Sequence, residues 1–91
     1  MKKIIKEENR FFIEEAGQMI AEITFVETGT ERLIIDHTFV SEQLRGKGIA
    51  EALVEEVVRL AREEKKKIIP LCPFAKSQFD KKFDYHDVLA K

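Results

Sequence analysis

The stretch Gln43-Leu44-Arg45-Gly46-Lys47-Gly48-Ile49-Ala50 limits the folds open to this chain more than any other, because a β-like run leads into it and the longest helical pattern leaves it. Two glycines spaced by one residue let the backbone turn sharply and come close to a ligand. The helix that follows offers unpaired N–H groups and the positive end of its dipole. Arg45 and Lys47 add charge at the same place. The stretch therefore reads as an anion cradle, and a phosphate-bearing small molecule is the ligand it suits.

On the amino-terminal side, Ile4 to Lys6 and Arg10 to Ile13 read as short strands around the polar Glu7-Glu8-Asn9, the first of them equally a frayed terminus. Glu14-Glu15-Ala16-Gly17 is a turn signal. From Gln18 to Val26, Met19, Ala21, Ile23 and Phe25 alternate with Ile20, Glu22, Thr24 and Val26, which predicts a strand with one more apolar face. After Glu27-Thr28-Gly29-Thr30, the run Arg32 to Val40 predicts another, with Leu33, Ile35, His37 and Phe39 on one side. Short connections imply an antiparallel meander. Ser41-Glu42 then breaks the pattern.

From Lys47 to about Glu64, Ile49, Leu53, Val57 and Ala61 recur every four residues with Ala50, Val54 and Val58 beside them, opposite Glu51, Glu55, Arg59 and Arg62. An amphipathic helix of roughly 18 residues, about 27 Å long, is predicted. Arg62, Lys65, Lys66 and Lys67 suit the negative end of its dipole, so the lysine run reads as a solvated helix end. Lys67 to Cys72 follows as a short apolar strand, reached by a crossover and so parallel to the strand before the glycine loop. Pro70 implies that one side of it lacks a full ladder. Pro73 opens a second helix, Phe74 to about Lys82, and Asp84 to Lys91 is a tail with one turn at most.

Ninety-one residues make one domain, residues 1–91, near the size at which a core buries only about 60–65% of the unfolded surface. Sixteen basic and seventeen acidic residues give bulk electrostatics no pull toward nucleic acid or an anionic membrane. The single cysteine, Cys72, excludes an internal disulfide and a cysteine metal cluster. Charge interrupts the amino terminus too early for a signal peptide, and no apolar run approaches a membrane span. A cytoplasmic protein is expected, with neither metal nor membrane contact.

The Walker pattern needs four residues between its glycines, and the dinucleotide fingerprint needs a third small residue where Glu51 stands, so neither fits. What fits is Gln43-x-x-Gly46-x-Gly48 between a strand and a long amphipathic helix. With Asp36-His37-Thr38-Phe39-Val40, Ile69-Pro70-Leu71-Cys72-Pro73-Phe74 and Asp84-Tyr85-x-Asp87-Val88, the chain resembles the GCN5-related N-acetyltransferases, in particular their very small members. The resemblance covers residues 18–90. It implies an α+β fold: a mixed sheet, an antiparallel meander plus a parallel strand after the long helix, with two helices. It also implies acetyl-CoA as co-substrate, with backbone groups of Phe39 and Val40 along the pantetheine arm. Arg45, Gly46, Lys47, Gly48, Ile49 and Ala50 would hold the pyrophosphate. Two departures stand out. The chain lacks the two helices that wall the acceptor site in larger relatives, and Cys72-Pro73-Phe74 stands where an asparagine is often found.

Each candidate chemical group has two readings. Cys72, where the strand after the long helix ends, is either a nucleophile that takes the acetyl group or a small buried hydrophobe. His37 is either a base toward Cys72 or an amine, or a hydrogen-bonded core residue. Tyr85, the only tyrosine, matches the general-acid tyrosine of the family but falls late, which suits ring burial with Val88 and Leu89. Glu22 is a base or a solvated strand carboxylate. The seven phenylalanines are spread as a small core requires. The expected function is acetyl transfer to an unidentified amine of a small molecule or protein, either directly or through Cys72; the alternatives are a non-enzymatic acyl-CoA-binding module and an interaction protein. The oligomeric state is not read from the sequence.

Overall fold

The computed structural model describes residues 3–90. One five-stranded sheet runs in the order β1-β2-β3-β4-β5, with β1 Ile5–Glu7, β2 Arg10–Glu15, β3 Gln18–Thr28, β4 Arg32–Val40 and β5 Lys67–Pro70. The first four strands are antiparallel and β5 lies parallel to β4, as the crossover through α1, Ile49–Glu64, requires. A second helix, α2, spans Pro73–Lys81 with proline in its first turn. Short 3₁₀ segments cover Glu42–Leu44 and Phe83–Val88. Among the described residues, no helix is long and apolar enough to cross a membrane.

The β2–β3 turn is tighter than Glu14-Glu15-Ala16-Gly17 suggests. Ala16 and Gly17 both take positive φ, 52° and 79°, so two residues suffice to reverse the chain and Glu14 and Glu15 stay paired with Met19 and Gln18.

Two bulges correct the alternation read from sequence. Ile13 pairs with Ala21 and Glu14 with Met19, leaving Ile20 as the extra residue. Met19 consequently leaves the face of Ala21, Ile23 and Phe25 and meets Arg10, whose Nη1 lies 3.5 Å from its sulfur. In β4, Phe25 pairs with Ile35 and Thr24 with His37, so Asp36 is extra. Beyond it, Thr38 and Val40 take the side of Leu33 and Ile35, and His37 and Phe39 take the other. His37 is thus exposed instead of sharing a face with Leu33 and Ile35.

One side of the sheet carries the core. Leu53, Val54, Val57, Val58 and Ala61 of α1 are completely buried with Ala21, Ile23, Leu33, Ile35 and Ile68, and Ala75 and Phe79 of α2 extend the same cluster. The four-residue recurrence in α1 is what points these side chains at one sheet. The helix begins at Ile49, two residues later than Lys47, because Gly48 is its N-cap in the left-handed region. It ends at Lys65, with φ 57°, whose N–H bonds back to Ala61 and Arg62.

The tail is more ordered than a single turn. Tyr85 and Val88 are buried, the Tyr85 ring centroid lies 5.5 Å from that of Phe79, and Ala90 N–H donates to Ile68 O at 2.9 Å. Arg62 clamps it, donating to both Asp87 carboxylate oxygens at 3.0 Å and to Asp84 O at 2.7 Å. Lys67 Nζ donates to Asp87 O.

The Arg62 hydrogen bonds, more than its charge alone, hold the Asp87 carboxyl below its ordinary value. The carboxylate therefore adds stability above the unfolded pKa, near 4, and loses it as pH falls through the lower folded value. Because the pair is half exposed, Asp87→Asn should lower the melting temperature at pH 7 by only about 2–4 °C, and the difference from wild type should vanish below about pH 3. Thermal melts from pH 2.5 to 7 check this; an equal offset at every pH would exclude a charge-based clamp.

Candidate functional site

The β4–β5 ladder stops at Ile35 and Pro70. Lys67 and Leu71 send their N–H groups to β4, at Glu31 O and Ile35 O, whereas Ile68 O takes Ala90 N–H on the outer side, so the N–H that Pro70 lacks belongs to the outer edge of β5; Cys72 also turns its N–H to Ile35 O, at 3.1 Å. The bulge at Asp36 turns β4 away at the same point. From His37 to Val40, the edge of β4 that faced β5 therefore has no strand neighbour among the described residues. A crevice of about 320 Å³ opens there.

Thr38, Phe39 and Val40 form one wall of it, and Phe74, at the start of α2, lies across from them. Arg45, Gly46 and Gly48 close one end, followed by Ile49, Ala50 and Glu51 of the first helical turn. Gly46 and Gly48 have φ of 81° and 78°, and a Cβ at either would meet nothing within 4 Å. Glycine is therefore required here by its backbone conformation and not by crowding. Gly48 has no side chain to cap α1, so the first-turn N–H groups remain free for a ligand. Arg45 Nε donates to Val40 O at 3.3 Å, which holds the guanidinium at the crevice. This end can take an anion.

The sequence-predicted residues divide in two. Phe39, Val40, Arg45, Gly46, Gly48, Ile49 and Ala50 all line the crevice. Lys47 lines a separate apolar cleft of about 250 Å³ with Ile4, Ile13 and Leu44. Cys72 is 9% exposed in the core cluster and its thiol donates to Thr38 Oγ1 at 3.4 Å, on the helix side of the sheet. His37 is on the other side of β4, opposite Thr24, so the structure does not bring it to Cys72. Tyr85 packs against Phe79 and does not line the crevice. Glu22 is bonded to Arg10 at 2.8 Å. Among the described residues, no three His, Cys, Asp or Glu side chains gather as a metal site would require.

The GCN5-related N-acetyl-transferase family profile matches residues 10–88, most of the chain. This chain belongs to the GCN5-related N-acetyltransferase family. A GCN5-like protein of Staphylococcus aureus solved by NMR is 39% identical, with a TM-score of 0.82 over 97% of this chain and 87% of that one. The N-acetylglutamate synthase of Neisseria gonorrhoeae, complexed with coenzyme A and N-acetyl-glutamate, is 17% identical with a TM-score of 0.66, over 80% of this chain and 18% of its own. An acetyltransferase of the family from Elizabethkingia anophelis with acetyl-CoA bound is 15% identical with a TM-score of 0.63, over 81% of this chain and 51% of that one. These two share the fold. A search among curated protein sequences found no match.

Within this small acetyltransferase-family domain, sequence reasoning missed Thr38, Glu51 and Phe74 as crevice residues. Thr38 was hidden by the bulge, since strict alternation puts it on the wrong side. Glu51 follows the N-cap glycine by three residues, and Phe74 follows the proline that opens α2; either spacing was a usable signal.

Gly46→Ala and Gly48→Ala each place a Cβ in open space but impose left-handed backbone on alanine, so each should cost about 1–2 kcal/mol. Urea unfolding of both variants checks this. No loss in either would mean that the loop relaxes to negative φ without penalty.

Proposed function

We propose that this domain binds acetyl-CoA in the β4–β5 crevice and transfers the acetyl group to a primary amine. The observation that carries this reading is the crevice itself: a strand edge without a neighbour that runs into a glycine loop and a helix start with free N–H groups. Family membership supports the same activity, and the relatives with acetyl-CoA or coenzyme A bound supply the ligand class.

Backbone N–H groups from Arg45 to Ala50, with the Arg45 guanidinium, hold the pyrophosphate. Lys47 takes part through its backbone, since the residue lines the neighbouring cleft and not the crevice. The free edge at Phe39 and Val40 pairs with the amides of the pantetheine arm. When bound, acetyl-CoA supplies a thioester carbon as the electrophile. The amine nitrogen forms the new C–N bond, the C–S bond breaks, and the amine gives up a proton to a base, for which His37 on the exposed side of β4 is the candidate. Cys72, hydrogen-bonded to Thr38 at the end of the split, is either a proton donor to the departing thiolate or the carrier of the acetyl group. Tyr85 is assigned to anchoring, because its ring is packed against Phe79. A cytoplasmic setting belongs to the same reading.

One observation favours a second reading, an acyl-CoA-binding module without turnover: among the described residues, the titratable side chains that line the crevice are Arg45 and Glu51. Calorimetry with acetyl-CoA and thiol release with an amine panel separate the two. Wild type should bind acetyl-CoA, Gly46→Glu should bind at least about tenfold more weakly through charge repulsion and backbone strain, and thiol release should require an amine. Binding without release by any amine would select the second reading, and no binding would remove both. Intact mass after incubation with acetyl-CoA decides the route. A single acetyl adduct, absent in Cys72→Ala, means transfer through sulfur; unchanged turnover in Cys72→Ser means direct attack.

A further inference from the structure

The two helices cover one side of the sheet, and the other side carries an apolar ladder that runs straight to the point where β4 and β5 part. Val26 pairs with Ile34, and Ile34 pairs with Ile69, so three branched side chains stand in register across β3, β4 and β5. Val26 is 46% exposed and Leu71, just past Pro70, is 64% exposed. Beside this row lies a cleft of about 430 Å³, with Val26, Thr24 and Asp36 on the sheet side and Glu7, Glu8 and Arg10 from the β1–β2 hairpin as its wall.

The charge of the cleft is one-sided. Arg10 is taken by Glu7 and Glu22, each at 2.8 Å. Asp36 accepts a hydrogen bond from Thr24 Oγ1 at 2.5 Å and has no cationic partner among the described residues. Its position is also specific: it is the bulge residue, directly after Ile35, whose carbonyl marks the split. An exposed carboxylate thus stands between an apolar row and the crevice.

We infer that this side of the sheet is the acceptor site, and that its ligand is a small primary monoamine with a hydrocarbon or aromatic body. The ammonium lies against Asp36, and the body lies along Val26, Ile34, Ile69 and Leu71. Amino acids are disfavoured because their carboxylate would face Glu8 and Asp36. Polyamines are disfavoured because their further charges would fall on the apolar row. The assignment of the ligand as an acceptor rests on the transfer reading above; the binding site itself does not.

Backbone and methyl NMR titrations of the CoA-saturated protein with ethyl-, butyl-, hexyl- and phenethylammonium test the inference, with spermidine and lysine as controls. Contact with an open face buries about half of each methylene, so affinity should rise about twofold per CH₂. Shifts should centre on Val26, Ile34, Asp36, Ile69 and Leu71. Asp36→Asn should weaken hexylammonium about fivefold, as loss of an exposed ion pair does, and Val26→Ser, at an exposed position that the fold does not depend on, should flatten the chain-length dependence. Shifts confined to other surfaces, affinity independent of chain length, or spermidine binding tightest would each overturn the inference. Acetyl-CoA calorimetry, run in parallel on protein free of CoA, keeps the two claims apart. Its failure sinks the transfer reading, whereas the titrations on protein with excess CoA, and repeated without it, judge the amine site alone.

Discussion

The architecture turns on the carbonyl of Ile35, the last acceptor shared by β4 and β5. It takes N–H groups from both Leu71 and Cys72, and the bulge at Asp36 swings β4 aside at that rung. With no bulge in β4, the ladder would run on past this rung and the edge at Phe39 and Val40 would be filled by the protein's own backbone. The interruption leaves polar groups of β4 without a strand partner at the place where a ligand with amide groups can satisfy them. The crevice at this break is lined from both sides of the sheet, by Thr38 and Val40 on one and Phe39 on the other.

Helix α1 joins this break to the stability of the domain. Its buried row, from Leu53 to Ala61, lies on the sheet, so the first turn is held where the glycine loop delivers it. Its last turn carries Arg62, which fastens the tail through Asp84 and Asp87, and the tail in turn covers the outer edge of β5 at Ile68. A ligand at the start of α1 and the clamp at its end thus act on the same rigid element. In a chain of 91 residues, whose main core cluster lies between the sheet and its two helices, one helix serves both ends.

Most of this order was legible in sequence because hydrophobic periodicity is a local signal. The period of two in Gln18 to Val26, the period near four in Ile49 to Ala61, and the glycine pair were enough for the meander, the crossover helix and the parallel fifth strand. What alternation cannot report is a single inserted residue. At Ile20 and Asp36, the pattern before and after the bulge is equally regular, and only pairing with the neighbouring strand shows that the phase has changed. That one-residue slip moved Met19, His37 and Thr38 to sides opposite those that alternation assigns, and it separates His37 from Cys72. The tail was underestimated for a related reason: its order comes from Arg62, twenty-five positions before Asp87, and from a bridge to Ile68, contacts that a local reading does not see.

The same phase change bears on the route of acetyl transfer. On the proposed reading, the thioester sits in the break, with Thr38 and Cys72 on the helix side and Asp36 and His37 on the exposed side. An acetyl group carried by Cys72 would be moved toward the core cluster, where this residue is 9% exposed, and away from the face on which an ammonium would be held. Direct attack needs no such detour, since an amine resting against Asp36 approaches the break from the side opposite the thiol. The thiol is then better placed to meet the charge that develops on the departing sulfur, with the start of α2 directly behind it. The bulge that frustrates a His37–Cys72 pair is, by this argument, the feature that lets donor and acceptor meet from opposite sides of a single sheet.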